Sequence, residues 1–300
     1  MVATVLLNWN GWRDTQVCLE SLAKIQYTDH RVIVVDNGST DDSVARLQAF
    51  RPAPLLLQTG ANLGFCGGNN VGIRRALQDG ADYVWLLNND TRIEDPDILR
   101  KMVACAEADP RIGAVGAVLM RMDAPGEIQA WGGGRLNLWL GWGREQRRRV
   151  PAERLHYLTG ASILIPRRVW ERVGLLDEGF FLYWDDADLG VRLRQAGWKL
   201  AVAEDCRVLH RSFSTTPEGP RLAARYNRSA VRMFSKHAPA PWMPLLIGTS
   251  ARLAKRALLG RWNQWPAILR SVSASWRETA GLRRSRRRVP RSSPEPTAWE

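Results

Sequence analysis

The sequence predicts an α/β fold: a mostly parallel central sheet with helices on both faces, followed by a basic helical C-terminal extension. Three observations predict it. Short apolar runs rich in β-branched residues alternate with helical patterns over the first 120 residues. Such alternation marks strand–helix–strand units whose strands are covered on both faces. Polar residues gather directly after these runs: Asn8, Asp36 to Ser39, Asn62 to Asn70, and Asn88 to Asp90. Open parallel sheets bind ligands beyond the carboxyl ends of their strands. The charge is also uneven. The 300 residues carry a net +13, yet residues 1–206 hold 24 Lys and Arg against 26 Asp and Glu, while residues 207–300 hold 19 against 4. A near-neutral globule is followed by a cationic appendage, which fits an anionic partner, either membrane lipid or nucleic acid.

The elements follow in order. Residues 3–7 are apolar and read as the first strand. Residues 15–24 place Val17, Leu19 and Leu22 at helical spacing. Residues 31–36 form a β-branched strand ending in Asp36, and a helix over 41–50 takes Thr40 or Asp41 as its N-cap. A strand at 55–59, a helix at 69–78 and a strand at 83–87 come next. Pro96 opens a helix over 96–108, and 114–120 is a fifth strand. Residues 123–154 break the rhythm with Trp131, Trp139, Trp142 and many glycines, and read as a hairpin or irregular insertion. Residues 155–166 are strand-like, 167–173 a short helix, and 186–196 a helix stopped by Gly197. Short strands at 200–203 and 206–209 precede a basic helix over 222–237. Over 246–258 a helical wheel gathers Leu246, Ile247, Leu253, Ala254, Ala257 and Leu258 on one half and Arg252, Lys255 and Arg256 on the other. Residues 283–300 are rich in Arg, Ser and Pro and read as disordered.

Several classes are excluded. With 45% apolar and 24% charged residues, the chain is neither wholly disordered nor collagen-like. Cys18, Cys66, Cys105 and Cys206 stand far apart with no CxxC pair, against a zinc knuckle or a disulfide framework and in favour of reduced thiols. The N-terminus lacks the basic start of a signal peptide. No run approaches the roughly 18 apolar residues of a membrane-spanning helix. No GxGxxG follows the first strand, against a nicotinamide enzyme.

The polar clusters have bland readings as well as chemical ones. Asp36-Asn37-Gly38 is a common turn, yet its carboxylate can accept from a base N–H or a ribose hydroxyl. The glycines between Asn62 and Asn70 suit a flexible loop, or a backbone that lets a ligand approach closely. Asp185, Asp186 and Asp188 suit the first turn of a helix, where free N–H groups and the helix dipole favour carboxylates. Three of them behind an aromatic stretch, Phe180 to Trp184, exceed what capping needs.

Taken together, the ordered motifs resemble the family-two inverting glycosyltransferases. These are Asn8-Trp9-Asn10-Gly11, the run from Val34 to Ser43, Asn62-Leu63-Gly64-Phe65-Cys66-Gly67-Gly68-Asn69, and Leu86-Leu87-Asn88-Asn89-Asp90-Thr91. Thr159-Gly160-Ala161, Leu176 to Phe181, and Tyr183-Trp184-Asp185-Asp186-Ala187-Asp188 follow. The resemblance spans about residues 2–235 and is nearest the bacterial rhamnosyl- and galactofuranosyltransferase-like branch. It implies a glycosyltransferase-A fold and transfer of rhamnose or a similar hexose to a glycan or lipid-linked glycan hydroxyl, in cell-surface polysaccharide synthesis. It implies a donor carried on dTDP or UDP, held by Asn8, Asp36, Asn62, Gly64, Asn69, Asn88 and Asn89. It assigns a divalent cation, Mn²⁺ or Mg²⁺, to Asp90 and His210, with Asn88 in place of the usual first Asp of a DXD motif. It makes Asp186 the general base, with Asp185 standing where Glu is usual, and places Trp184 and Asp188 on the acceptor side. The usual glycine shortly after the histidine is missing at Arg211 to Phe213.

The corresponding organisation is a catalytic domain over 1–237, divided into a nucleotide half (1–120) and an acceptor half (121–237). A basic amphipathic extension (238–282) and a tail (283–300) follow. The extension is expected to meet an anionic membrane surface, placing a cytoplasmic enzyme on the inner face of the inner membrane. Two rivals have less support. A non-catalytic sugar-binding homologue would lack the catalytic residues, which are present. A nucleic-acid binder using the arginines would carry a recognition module, which is absent.

Overall fold

The computed structural model describes residues 1–211 and 219–281. The sequence-predicted tail at 283–300 lies outside the described residues. The first half runs β1 (Val2–Asn8), α1 (Trp12–Leu22), β2 (His30–Asp36), α2 (Ser43–Ala49), β3 (Leu55–Gln58), α3 (Gly64–Gln78), β4 (Tyr83–Asn88), β5 (Thr91–Ile93), α4 (Ile98–Glu107) and β6 (Ile112–Arg121). The second half runs β7 (Ile128–Trp131), β8 (Gly133–Asn137), β9 (Trp142–Glu145), β10 (Tyr157–Leu158), β11 (Ser162–Pro166), α5 (Arg167–Val173), α6 (Asp185–Gln195), β12 (Lys199–His210), α7 (Pro220–His237), α8 (Trp242–Leu258) and α9 (Trp265–Glu278).

The main sheet has the order β3-β2-β1-β4-β11-β6-β12-β5, with β7 pairing β6. Strands β3, β2, β1 and β4 are parallel, as are β6 and β12. Strand β11 enters antiparallel between β4 and β6, and β5 is antiparallel to β12. Strands β10, β8 and β9 make a separate antiparallel sheet from the insertion. The mixed sheet confirms the glycosyltransferase-A fold expected from the motifs.

Alternating side chains of the strands feed two cores, as a two-sided sheet requires. Ala3 and Val5 of β1 face α3 and belong to a core that also takes in side chains of α5, α6 and α7. Val2 and Leu6 face α1, α2 and α4. Both cores meet at the sheet, so the strand ends that carry the polar loops are held rigidly from either side.

Helix α3 begins at Gly64, five residues earlier than its sequence suggested. The run Gly64 to Gly68 looks like a loop because glycine is a poor helix former. Here the glycines let the helix lie almost directly on the sheet: a Cβ at Gly68 would strike Leu7, and one at Gly72 would strike Val5 and Val35. Overpacking of this kind costs about 1–3 kcal/mol. Gly72→Ala is therefore expected to lower the unfolding free energy by that amount, seen as a lower urea midpoint with no change in m-value. An unchanged midpoint would show that the contact relaxes without cost.

The C-terminal helices are tied down. Arg252 Nε of α8 donates to Asn227 Oδ1 of α7 at 2.8 Å, and the hydroxyls of Ser235 and Thr279 lie 3.1 Å apart between α7 and the residue after α9. The wheel predicted for residues 246–258 is present, but inverted in its environment. Arg252 and Arg256 turn towards partners on the protein, Asn227 and Gln264, while Leu246, Ile247 and Leu258 are exposed. No helix among the described residues is long and apolar enough to cross a membrane.

Candidate active site

A cleft of about 600 Å³ opens where β1, β4 and β12 end. Asn88, Asn89 and Asp90 form one side; Asp185 and Asp186 at the start of α6 form another. Among the described residues, three non-glycine residues have left-handed backbones: Asn10 (φ 51°), Tyr183 (φ 69°) and Trp184 (φ 67°), and all three line this cleft. Such conformations cost energy and persist where the surroundings hold them. Two in succession immediately before α6 turn its first residues into the cleft.

The carboxylates of α6 separate by helical phase. Asp186 lines the cleft, and its carboxylate accepts the backbone N–H of Ala187 at 2.7 Å. Burial, then the neighbouring charges of Asp185 and Glu145, push Asp186 well above the ordinary carboxylate range. Burial likewise raises Asp185. Asp188 sits about 200° around the helix from Asp186 at 100° per residue. It is fully buried on the far side and does not meet the cleft, so its expected acceptor role is corrected. It binds His237 Nε2 at 2.7 Å, Lys236 Nζ at 2.6 Å and Arg192 Nε at 2.8 Å. Burial alone would raise its pKa. The His237 bond and the charges of Arg192 and Lys236 outweigh that and hold it well below the ordinary range.

Asp90, in the turn between β4 and β5, is brought together with His210 at the end of β12. Asp90 Oδ1 lies 3.2 Å from His210 Nε2, and Asn88 Nδ2 lies 3.3 Å from the same nitrogen. His210 Nδ1 faces Gln129 Oε1 at 3.2 Å. The contact orients the ring so that Nε2 turns towards Asp90.

The other predicted residues divide into liners and braces. Asn89 lines the cleft and donates to Thr15 Oγ1 at 2.9 Å. Asn8 and Asp36 are buried and joined, Asn8 Nδ2 donating to Asp36 Oδ1 at 2.9 Å; Asp36 also accepts from the Ser39 backbone at 3.0 Å. They brace the loops carrying Trp9 and Asn10. Asn62 accepts from the Gly64 backbone at 2.9 Å and from Asn37 Nδ2 at 3.2 Å, fixing the entry to α3. Gly64 has φ 76° and is packed against Phe181. Asn69 turns back on its own helix, donating to Phe65 O at 2.9 Å, because α3 already encloses it. It does not reach the cleft, which corrects its expected donor contact. Trp184 lines the wall, but its ring is wedged against Tyr226 and Phe234 and is only 6% exposed, leaving little face for a sugar to stack on.

The sequence reading missed Glu145, Gln129 and Tyr226, which also line the cleft. Burial pushes Glu145 up, against nearby His210 and the Thr159 hydroxyl.

Residues 2–232 match the family described as Glycosyltransferase like family 2. The chain belongs to this family. As a family-two glycosyltransferase it takes a sugar from a nucleotide-sugar donor. It is 29% identical over 282 residues to an N-acetylglucosaminyl-diphospho-decaprenol L-rhamnosyltransferase of Mycobacterium tuberculosis, covering 86% of each chain. It is 28% identical over 191 residues to the galactofuranosyltransferase GlfT1 of the same species, covering 63% of this chain and 62% of the relative. Among solved structures, the mannosyltransferase PcManGT from Pyrobaculum calidifontis, in complex with GDP-Man and Mn²⁺, aligns with TM-score 0.60 at 19% identity, over 95% of this chain and 79% of that one. That last likeness concerns the fold of this family-two glycosyltransferase, not its sugar.

Proposed function

We propose that the protein is an inverting, metal-dependent glycosyltransferase that moves rhamnose, or a related hexose such as galactofuranose, onto a hydroxyl of a lipid-linked glycan. The observation that carries this is the sharing of one cleft by Asp186 on one side and the Asp90–His210 pair on the other. The names of the two mycobacterial relatives support the sugar and the diphosphate-lipid acceptor. Their nucleotides would be dTDP for rhamnose and UDP for galactofuranose.

The residues fit a divalent cation. Among the described residues no three His, Cys, Asp or Glu form a metal-ready group, so the chain offers two donors, the Asp90 carboxylate and His210 Nε2. A carboxylate and an imidazole beside diphosphate oxygens suit Mn²⁺ or Mg²⁺. When bound, the cation neutralises the charge of the departing diphosphate. The chain's own residues do the rest. Asp186 takes the proton of the acceptor hydroxyl. The acceptor hydroxyl's oxygen bonds to the anomeric carbon from the face opposite the leaving group. The bond from that carbon to the diphosphate oxygen breaks, and the diphosphate keeps the electron pair.

A thermal-shift screen of dTDP, UDP and GDP with and without Mn²⁺ tests the donor half. One nucleotide is expected to raise the melting point in the presence of metal by mass action. Asp90→Ala is expected to remove the metal-dependent part. A nucleotide shift indifferent to both metal and Asp90 would overturn the metal assignment. No transfer by the wild-type protein from any of the matching nucleotide sugars would overturn the enzymatic one. The basic C-terminal region is proposed to hold this enzyme on the cytoplasmic membrane face, where lipid-linked acceptors are presented.

A further inference from the structure

We propose that the membrane-contacting surface is a composite. It combines the outward face of α8 with the β8–β9 hairpin, and its partner is an anionic lipid bilayer. This rests on the reading that the acceptor is lipid-linked, and it specifies where the enzyme meets the lipid.

The outward face of α8 is apolar. Trp242 is 61% exposed, Leu246 63% and Leu258 88%, with Ile247, Ser250, Ala251 and Ala254 between them on the exposed side. Leu259 and Trp262 continue the surface past the end of the helix. Lys255 stands at its margin, and Arg252 and Arg256 turn inward. An isolated exposed leucine needs no explanation, but a contiguous face of this kind marks an interaction site.

The hairpin adjoins it. Gly141, in the turn between β8 and β9, packs against Pro244 and Gly248 of α8 so closely that a Cβ would collide with the Pro244 backbone. Trp139, Leu140 and Trp142 around this turn are all exposed. In the hairpin register Arg135 faces Arg144 and Asn137 faces Trp142, while Leu136 and Gly143 belong to the other face. Arg135 and Arg144 are both exposed. Like charges directly opposite on a sheet destabilise it. An anion lying over the pair relieves that repulsion, and lipid phosphates supply a plane of them.

Charge and composition decide the occupant. Residues 207–300 hold 19 cationic residues against 4 anionic ones, and residues 282–300 contain six arginines and one aromatic residue. That segment is too polar to cover an apolar helix face, and its charge complements an anionic leaflet. Leucine and tryptophan beside Lys and Arg are the side chains that settle at the boundary between acyl chains and headgroups. A second copy of this chain would bring the same cations together.

Flotation of the full chain on vesicles tests this. Wild type is expected to float with phosphatidylglycerol-containing vesicles and much less with pure phosphatidylcholine. Leu246→Glu with Leu258→Glu, and separately Trp139→Glu, are expected to reduce flotation at least 10-fold. Both changes are at exposed positions, so thermal midpoints should be unchanged. Flotation needs no donor or acceptor, so its failure is distinct from failure of the transferase reading, which shows as absent transfer from dTDP-rhamnose and UDP-galactofuranose. Undiminished flotation of both variants would overturn the composite surface in favour of charge alone. A wild-type dimer in light scattering that these substitutions convert to monomer would overturn the bilayer as occupant.

Discussion

Asp186→Asn is expected to reduce transfer by at least about 10²–10⁴-fold, the usual contribution of a positioned general base. The nucleoside-diphosphate thermal shift should survive, because the Asp90–His210 pair is untouched. The pH behaviour of the wild type follows from the crowd of carboxylates. Burial, then Asp185 and Glu145, raise the Asp186 pKa, and the base works only when deprotonated. So kcat/KM should climb with pH through a value above the ordinary carboxylate range, and Glu145→Gln should shift that limb to lower pH. Stability should move the other way. A carboxyl whose folded pKa is raised weakens the fold once the pH exceeds its unfolded value of about 3.9. Asp186→Asn should therefore melt no lower than wild type at pH 7. Ordinary turnover in this variant would remove Asp186 from the role of base.

Asp188→Ala should be the most damaging single change to the fold. It would leave Arg192, Lys236 and His237 around a buried site with no carboxylate between them. Breaking a buried ion pair from one side costs about 3–5 kcal/mol. Urea denaturation at pH 7 should show that loss. The sign with pH is fixed by the depressed pKa. The stabilisation is complete above the unfolded value of about 3.9 and fades as pH falls towards the lower folded value. The gap between wild type and Asp188→Ala should therefore narrow in acid. A gap that stays constant below pH 4 would mean that packing, not charge, makes the difference. Asp177, which binds Arg232 at 2.6 Å and Lys236 at 2.8 Å, joins the segment before α6 to the same helix α7. The helix bearing Asp186 is thus moored to α7 by charge at two points.

The parallel half of the fold was legible because its signals are local. Apolar runs of β1, β2 and β4 end in polar residues at the positions that the structure places at the sheet's carboxyl edge. What the sequence hid depends on the third dimension. Asp185, Asp186 and Asp188 look alike in the chain, and only the turn of the helix sends the last of them to the far side. Gly68 and Gly72 read as looseness, yet they record how closely α3 sits on β1 and β2. Glu145 precedes the basic run Arg147 to Arg149 and resembles solvent-facing sequence. It becomes a cleft residue because β9 pairs with β8 and turns alternate side chains inward. The short strand β5 owes its pairing to β12, more than a hundred residues later.

Strand β9 begins at exposed Trp142 and ends at Glu145, which lines the cleft. Three residues of extended chain span about 10 Å. If Trp142 rests among lipid headgroups, the strand acts as a gauge, setting how far above the bilayer the reacting hydroxyl must stand. A diphosphate and one sugar span a comparable height. An acceptor anchored by a much longer headgroup would carry its terminal hydroxyl past Asp186, and one with no diphosphate would fall short of it. On this reading, part of the selection among acceptors is made by height, before any hydroxyl is recognised.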